Sequence, residues 1–161
     1  MPAALRARYL AAREEGGKGY RFERGAFGGA RGRNEAQSFD VALSDGALGV
    51  SGRGWHAGLR WTGVGRGSQM AAVERPEGGA EVVGRRAVYR RGDGSEESYE
   101  NGPLGVEQEF ILARRPAGAN DEAVAVEVTI EGDLTPELSG CGRIDLQDEQ
   151  GATVARSWRG T

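Results

Sequence analysis

Apolar and polar residues alternate along most of this chain in a way that predicts a mainly β fold. The expected architecture is an antiparallel β-sandwich or barrel-like domain preceded by one short N-terminal helix. Three observations carry the prediction. From Ser38 onward the hydrophobic period is two, as on a half-buried strand. Glycine makes up 28 of the 161 residues, against a usual share of roughly 7%, and recurs in turn dipeptides rather than in a G-X-Y period. No helical stretch separates the alternating runs, and parallel strands would need such crossovers.

The helix is expected over Pro2 to Glu15, where Leu5, Tyr9 and Ala12 share one face and Pro2 suits the first turn. Gly16-Gly17 stops it. Seven glycines between Gly16 and Asn34 read mostly as loop, with a short strand at Tyr20 to Phe22. Residues 1–34 therefore form a leading segment and residues 35–161 the antiparallel domain. Phe39, Val41 and Leu43 alternate with polar or small residues up to Asp45-Gly46, a tight-turn dipeptide, and Leu48 and Val50 return as the second arm of a hairpin. Trp55, Ala57, Leu59 and Trp61 make the next apolar face, opposite His56, Gly58, Arg60 and Thr62.

Shorter runs follow at Met70 to Val73, Glu81 to Val83 and Ala87 to Arg91. Asp93-Gly94 turns the chain into Glu97 to Glu100, and Asn101-Gly102-Pro103 turns it again into Glu107 to Ala113. The clearest alternation is Val124, Val126, Val128 and Ile130, which predicts one dry and one wet face. Ile144 and Leu146, then Val154 to Trp158, close a set of about nine or ten strands.

Charge narrows the function classes. Twenty-one basic and 24 acidic residues leave a formal net charge of −3, without the basic excess of a dedicated nucleic-acid binder. No run approaches the roughly 20 apolar residues of a membrane-spanning helix. Met1 to Glu15 lacks the apolar core of a secretory signal. One cysteine, Cys141, forbids an intrachain disulfide, and without a basic neighbour it reads as an inert thiol. Neither cofactor motif nor enzyme signature is present.

The string Y-E-N-G-P-L-G-V-E-Q-E-F, Tyr99 to Phe110, carries a resemblance. It is similar to an N-terminal β-rich module that precedes FG-GAP, integrin-α-like repeats in secreted bacterial proteins. Val88-Tyr89-Arg90-Arg91, the Gly54-Trp55 to Gly67 segment, Pro116 to Gly118 and Gly132-Asp133-Leu134 extend the match from about Ala36 to the C-terminus. Glu109 stands where that motif has glycine. The resemblance implies a structural module of an extracellular or cell-envelope protein that presents or anchors a β-propeller. It implies no catalytic residues and no metal. It also implies a sheet edge left open for an adjoining domain or another chain. In purely physical terms Asn101, Gly102, Pro103, Leu104, Gly105 and Phe110 read as a corner. Asn101 and Gly102 would accept positive φ, Pro103 would fix the exit, Leu104 would enter the core beside Phe110, and Gly105 would let the chain bend.

Other chemistry has plainer readings. Arg91-Gly92-Asp93 spells an integrin-binding tripeptide, but Gly and Asp at a hairpin tip explain it as well. His56 is the only histidine, so any Ser-His-Asp device must use it, and no nucleophile motif accompanies it. Glu107 with Glu109, and Glu127 with Glu131, share strand faces; paired acids could hydrolyse a glycoside, yet alternating Glu is also how a solvated face looks. Trp55, Trp61 and Trp158 would form a glycan platform if they pointed outward, and core if inward. Asp145, Asp148 and Glu149 lack the calcium-loop spacing. The arginine pairs 85–86, 90–91 and 114–115 face Glu96, Glu97 and Glu100, which reads as cross-strand ion pairing on a wet hairpin, with a phosphate or anionic-polymer site as the sharper alternative. The expected function is a non-catalytic structural or interaction module. A glycan- or small-molecule-binding sandwich is the alternative, and a glycosidase-like enzyme ranks below both.

Overall fold

A computed structural model describes residues 18–119, 121–139 and 143–158. The expected helix, the Cys141 turn and the Trp158 side chain lie outside what it describes. The chain runs through β1 (Phe22–Arg24), β2 (Ala30–Asn34), β3 (Phe39–Ser44), β4 (Ala47–Gly52), β5 (Trp55–Arg66), β6 (Gln69–Ala72) and β7 (Glu81–Val83). It continues through β8 (Arg86–Arg90), β9 (Glu96–Gly102), β10 (Gly105–Ile111), β11 (Val124–Gly132), β12 (Thr135–Ser139), β13 (Arg143–Gln147) and β14 (Thr153–Trp158). Every pairing among the described residues is antiparallel.

The large sheet has the order β1-β2-β3-β4-β5-β11, with β6 continuing alongside β5 beyond the end of β4. Two small sheets, β10-β9-β8-β7 and β12-β13-β14, form the second layer. The fold is thus sandwich-like, and its described sheets do not close into a barrel. Asp45 and Gly46 both have positive φ, 51° and 71°, the geometry that suits the twist of a two-residue hairpin between β3 and β4.

Two dry clusters hold the layers together. Phe22, Ala30, Val41, Leu43 and Leu48 of the large sheet meet Ala87, Tyr89 and Tyr99 of the four-stranded sheet. Ala57 meets Leu134 and Leu146, with Trp55, Ile130, Ile144, Val154 and Ala155 around them. Val50 and Leu59 touch both clusters, so the large sheet is the common floor.

Four expectations are corrected. Gly16 to Asn34 is not a loop in its described part, because β1 and β2 join the large sheet; residues 22–34 therefore belong to the β domain rather than to a leading segment. Tyr20 ends a 3-10 turn, and the strand starts at Phe22. Leu104 is 53% exposed rather than buried. Val124 and Val126 are 44% and 38% exposed: β11 is the end strand of its sheet, and neither cluster reaches them.

Candidate functional site

β11 presents the longest open edge of the described residues. One side is bonded to β5 from Val124 opposite Arg66 to Gly132 opposite Ala57; no described strand pairs with the other. Thr62 is an extra β5 residue opposite the Glu127/Val128 step, a bulge that changes which β5 residues share a face with the valines. Natural edges are blunted by shortness, proline or charge. β1 and β7 have three residues each, β12 contains Pro136, and β10 presents Glu107 and Glu109. β11 has nine residues, no proline and two exposed valines, and of these devices carries only charge, in the exposed acids Glu127 and Glu131.

Its far end is clipped in place. Gly132, at φ +112°, brings the chain so near His56 that a Cβ there would stand 2.6 Å from the His56 carbonyl. The Asp133 amide donates to that carbonyl at 3.0 Å. In return Asp133 Oδ2 accepts from the His56 amide at 3.1 Å and lies 2.5 Å from His56 Nδ1. Ser51 stands opposite His56 in the β4–β5 register, so three hydrolase residue types meet here. The imidazole and carboxylate are both more than half exposed, without the dry, preorganised surroundings in which such a set gains catalytic power. Sequence reading missed Asp133 because its partner is 77 residues away.

The Asn101 to Gly105 bend is held by buried hydrogen bonds and does not take the expected geometry. Asn101 is fully buried. Its Nδ2 donates to the Arg33 and Tyr20 carbonyls at 2.9 and 3.1 Å, and its Oδ1 accepts from Asn34 Nδ2 at 2.8 Å. Asn34 Nδ2 also donates to Gly102 O, and Gln37 Nε2 to Pro103 O. Neither Asn101 nor Gly102 adopts positive φ; Gly105 does, at +126°. The turn itself is Pro103-Leu104, which leaves Leu104 at its tip. Phe110 packs away from Leu104's expected pocket, edge-on to Trp61 with centroids 5.0 Å apart.

A buried ionic network lies under β9. Arg91 and Glu97 side chains are 3% and 0% exposed and meet at 2.7 Å. Glu97 Oε1 also accepts from Tyr99 Oη and from Gln108 Nε2. The guanidinium covers the Trp61 ring at 4.3 Å, a cation–π contact. Burial foremost, with Glu97 beside it, drives the Tyr99 hydroxyl far above the usual phenol range; burial pushes Tyr89 up to about 12 against the opposing Gly46 amide. Arg91 continues the inward parity of Ala87 and Tyr89, the one sequence signal that could have found it. Its burial removes the integrin-type reading of Arg91-Gly92-Asp93, which needs an exposed arginine. Asp93 instead accepts from the Ser95 amide and hydroxyl, and the amide bond foremost holds its carboxyl below the usual range.

The remaining candidates fall on ordinary structure. Arg85 pairs with Glu100 at 2.7 Å, Arg86 with Glu109 at 3.2 Å, and Arg90 with Glu96 and Glu81. Trp61 is buried and Trp55 packs on the second cluster, so neither offers an outward platform. Asp145 accepts from Ser139 Oγ at 2.6 Å and from Arg143; the Ser139 bond foremost lowers its pKa. Asp148 caps the Gln150 and Ala152 amides. Among the described residues no group of three or more His, Cys, Asp or Glu could hold a metal, and no helix is long and apolar enough to cross a membrane. On the outer face of the large sheet, Ala42, Gly49 and Gly58 align in register and floor a shallow depression of about 490 Å3, rimmed by Arg31, Asp40 and His56. The chain matches no protein-family model, no curated protein and no solved structure.

Proposed function

We propose that the chain is a non-catalytic interaction module that works by lending the open edge of β11 to a strand of a neighbouring domain or protein. The observation that carries this is the nine-residue unpaired edge with Val124 and Val126 in water. Edge pairing satisfies backbone donors and acceptors all along a strand, while alternate side chains set specificity. Glu127 and Glu131 give the preference: the matching strand alternates apolar residues with lysine or arginine. The FG-GAP-like string Tyr99 to Phe110 supports an extracellular or cell-envelope setting and an adjoining propeller as the partner domain.

A synthetic strand alternating valine and lysine, titrated onto the full chain, tests the edge. Binding to the parent, loss in a Glu127→Lys/Glu131→Lys variant, and transfer of that variant's preference to a valine–glutamate strand are expected. Equal binding of both strands by both proteins, or no binding at all, would contradict the proposal. A glycan- or small-molecule role has the Ala42/Gly49/Gly58 depression in its favour, but with Trp55 and Trp61 turned inward it lacks the aromatic platform such sites use. A glycosidase would need two converging acids, whereas Glu107, Glu109, Glu127 and Glu131 lie exposed along β10 and β11.

A further inference from the structure

A second feature is independent of the β11 edge. Between the β3–β4 turn and the 73–76 segment lies a cavity of about 120 Å3, walled by Arg60, Trp61, Arg75 and Arg91, with Gly46 and Pro76 at its sides. Three of its eight lining residues are arginines, in a chain of negative net charge.

Arg91 is committed on two of its three nitrogens. Nε donates to Glu74 O at 3.0 Å and Nη2 to Glu97 Oε2 at 2.7 Å, while Nη1 is buried and has no partner. Tyr89 Oη is buried nearby against the Gly46 amide, within electrostatic reach of Arg60 and Asp45. Arg60 Nη1 donates to Asp45 O at 2.5 Å, and Arg75 Nη1 to Asp45 Oδ2 at 2.7 Å; Arg60 Nη2 lies 3.8 Å from the same carboxylate oxygen. Three guanidinium groups thus line the cavity, Arg91 bonded to Glu97 and the other two to Asp45.

A buried charged donor without an acceptor loses its full solvation and is costly. Water would supply acceptors but no charge. An anion with several acceptor oxygens supplies both, and arginine forks suit it. A cavity of this size has room for an ion of a few heavy atoms. We propose that this cavity binds a small free inorganic oxyanion, phosphate or sulfate, against Arg91 Nη1, with Arg75 and Arg60 shared between the ion and Asp45.

Titration of the full chain with phosphate and with sulfate, at ionic strength held constant with chloride, tests this through tryptophan emission, since Trp61 forms one wall. A saturable change and a raised Tm are expected. Arg75→Gln should weaken apparent affinity by at least about tenfold, as loss of a charge-assisted bond would. Arg75 is exposed, so the variant's Tm in chloride alone should match the parent's. A linear, chloride-like response, or affinity unchanged in Arg75→Gln, would each overturn the assignment. So would a crystal grown in phosphate with only water in the cavity.

Discussion

Asn101 and Leu104 sit three residues apart in one bend and are held by opposite physics. Asn101 is buried because its amide replaces water for the Arg33 and Tyr20 carbonyls and for Asn34, tying β9 to β2 and to the 3-10 turn ahead of β1. Asn101→Ala should cost about 2–4 kcal/mol in urea denaturation, since it strands several buried polar groups at once. Leu104→Asp should change stability by less than about 0.5 kcal/mol, because the side chain is already in water. A second residue-scale test uses the phenols. Their folded pKa values lie above the ordinary value near 10, so the stability they contribute is complete below that pH and is lost as pH rises through the folded values. Tm should fall from about pH 10 upward. Tyr99→Phe should flatten that fall, as pH-dependent calorimetry would show.

At the scale of elements, legibility followed from whether the buried face of a strand is apolar. The β3–β4 hairpin and β5 were readable because Val41, Leu43, Leu48, Ala57 and Trp61 occupy the dry face in strict alternation and Asp45-Gly46 supplies the turn. β2 was not, since its inward positions are Ala30, Gly32 and Asn34; a Cβ on Gly32 would crowd the Arg21 carbonyl at 3.0 Å and the Phe22 ring at 3.2 Å. β12 hides behind Pro136 and lacks alternation. β11 was the opposite case: alternation located the strand correctly but not its environment, which depends on what covers the sheet's end. Buried polar groups were the least legible. The Arg91–Glu97 pairing was expected across its hairpin but its burial was not, and His56–Asp133 joins residues 77 apart by the fold alone. The open edge leads to a prediction at this scale. In sedimentation velocity over a wide concentration range, Val126→Lys should reduce any self-association of the chain while leaving its Tm within about 2 °C. Unchanged association would place the contact elsewhere.

The molecule as a whole is one floor with two roofs. The four-stranded sheet covers Val41, Leu43 and Leu48; the three-stranded sheet covers Ala57. Val50 and Leu59 belong to both contacts, so loosening either should loosen both. Leu59→Ala is expected to cost about 2–3 kcal/mol and to keep a single unfolding transition whether followed by fluorescence or by circular dichroism. Two separated transitions would mean that the roofs unfold independently. Neither roof covers the first half of β11, which makes the sheet's end available to another strand.

Residue-resolved amide hydrogen exchange across Val124 to Gly132 in the full chain tests that availability most directly. In the monomer, alternate amides bonded to β5 should be protected and the intervening ones should exchange freely, becoming protected when a strand partner binds. Uniform protection of β11 in the monomer, or free amides that stay free in the complex, would contradict an open pairing edge.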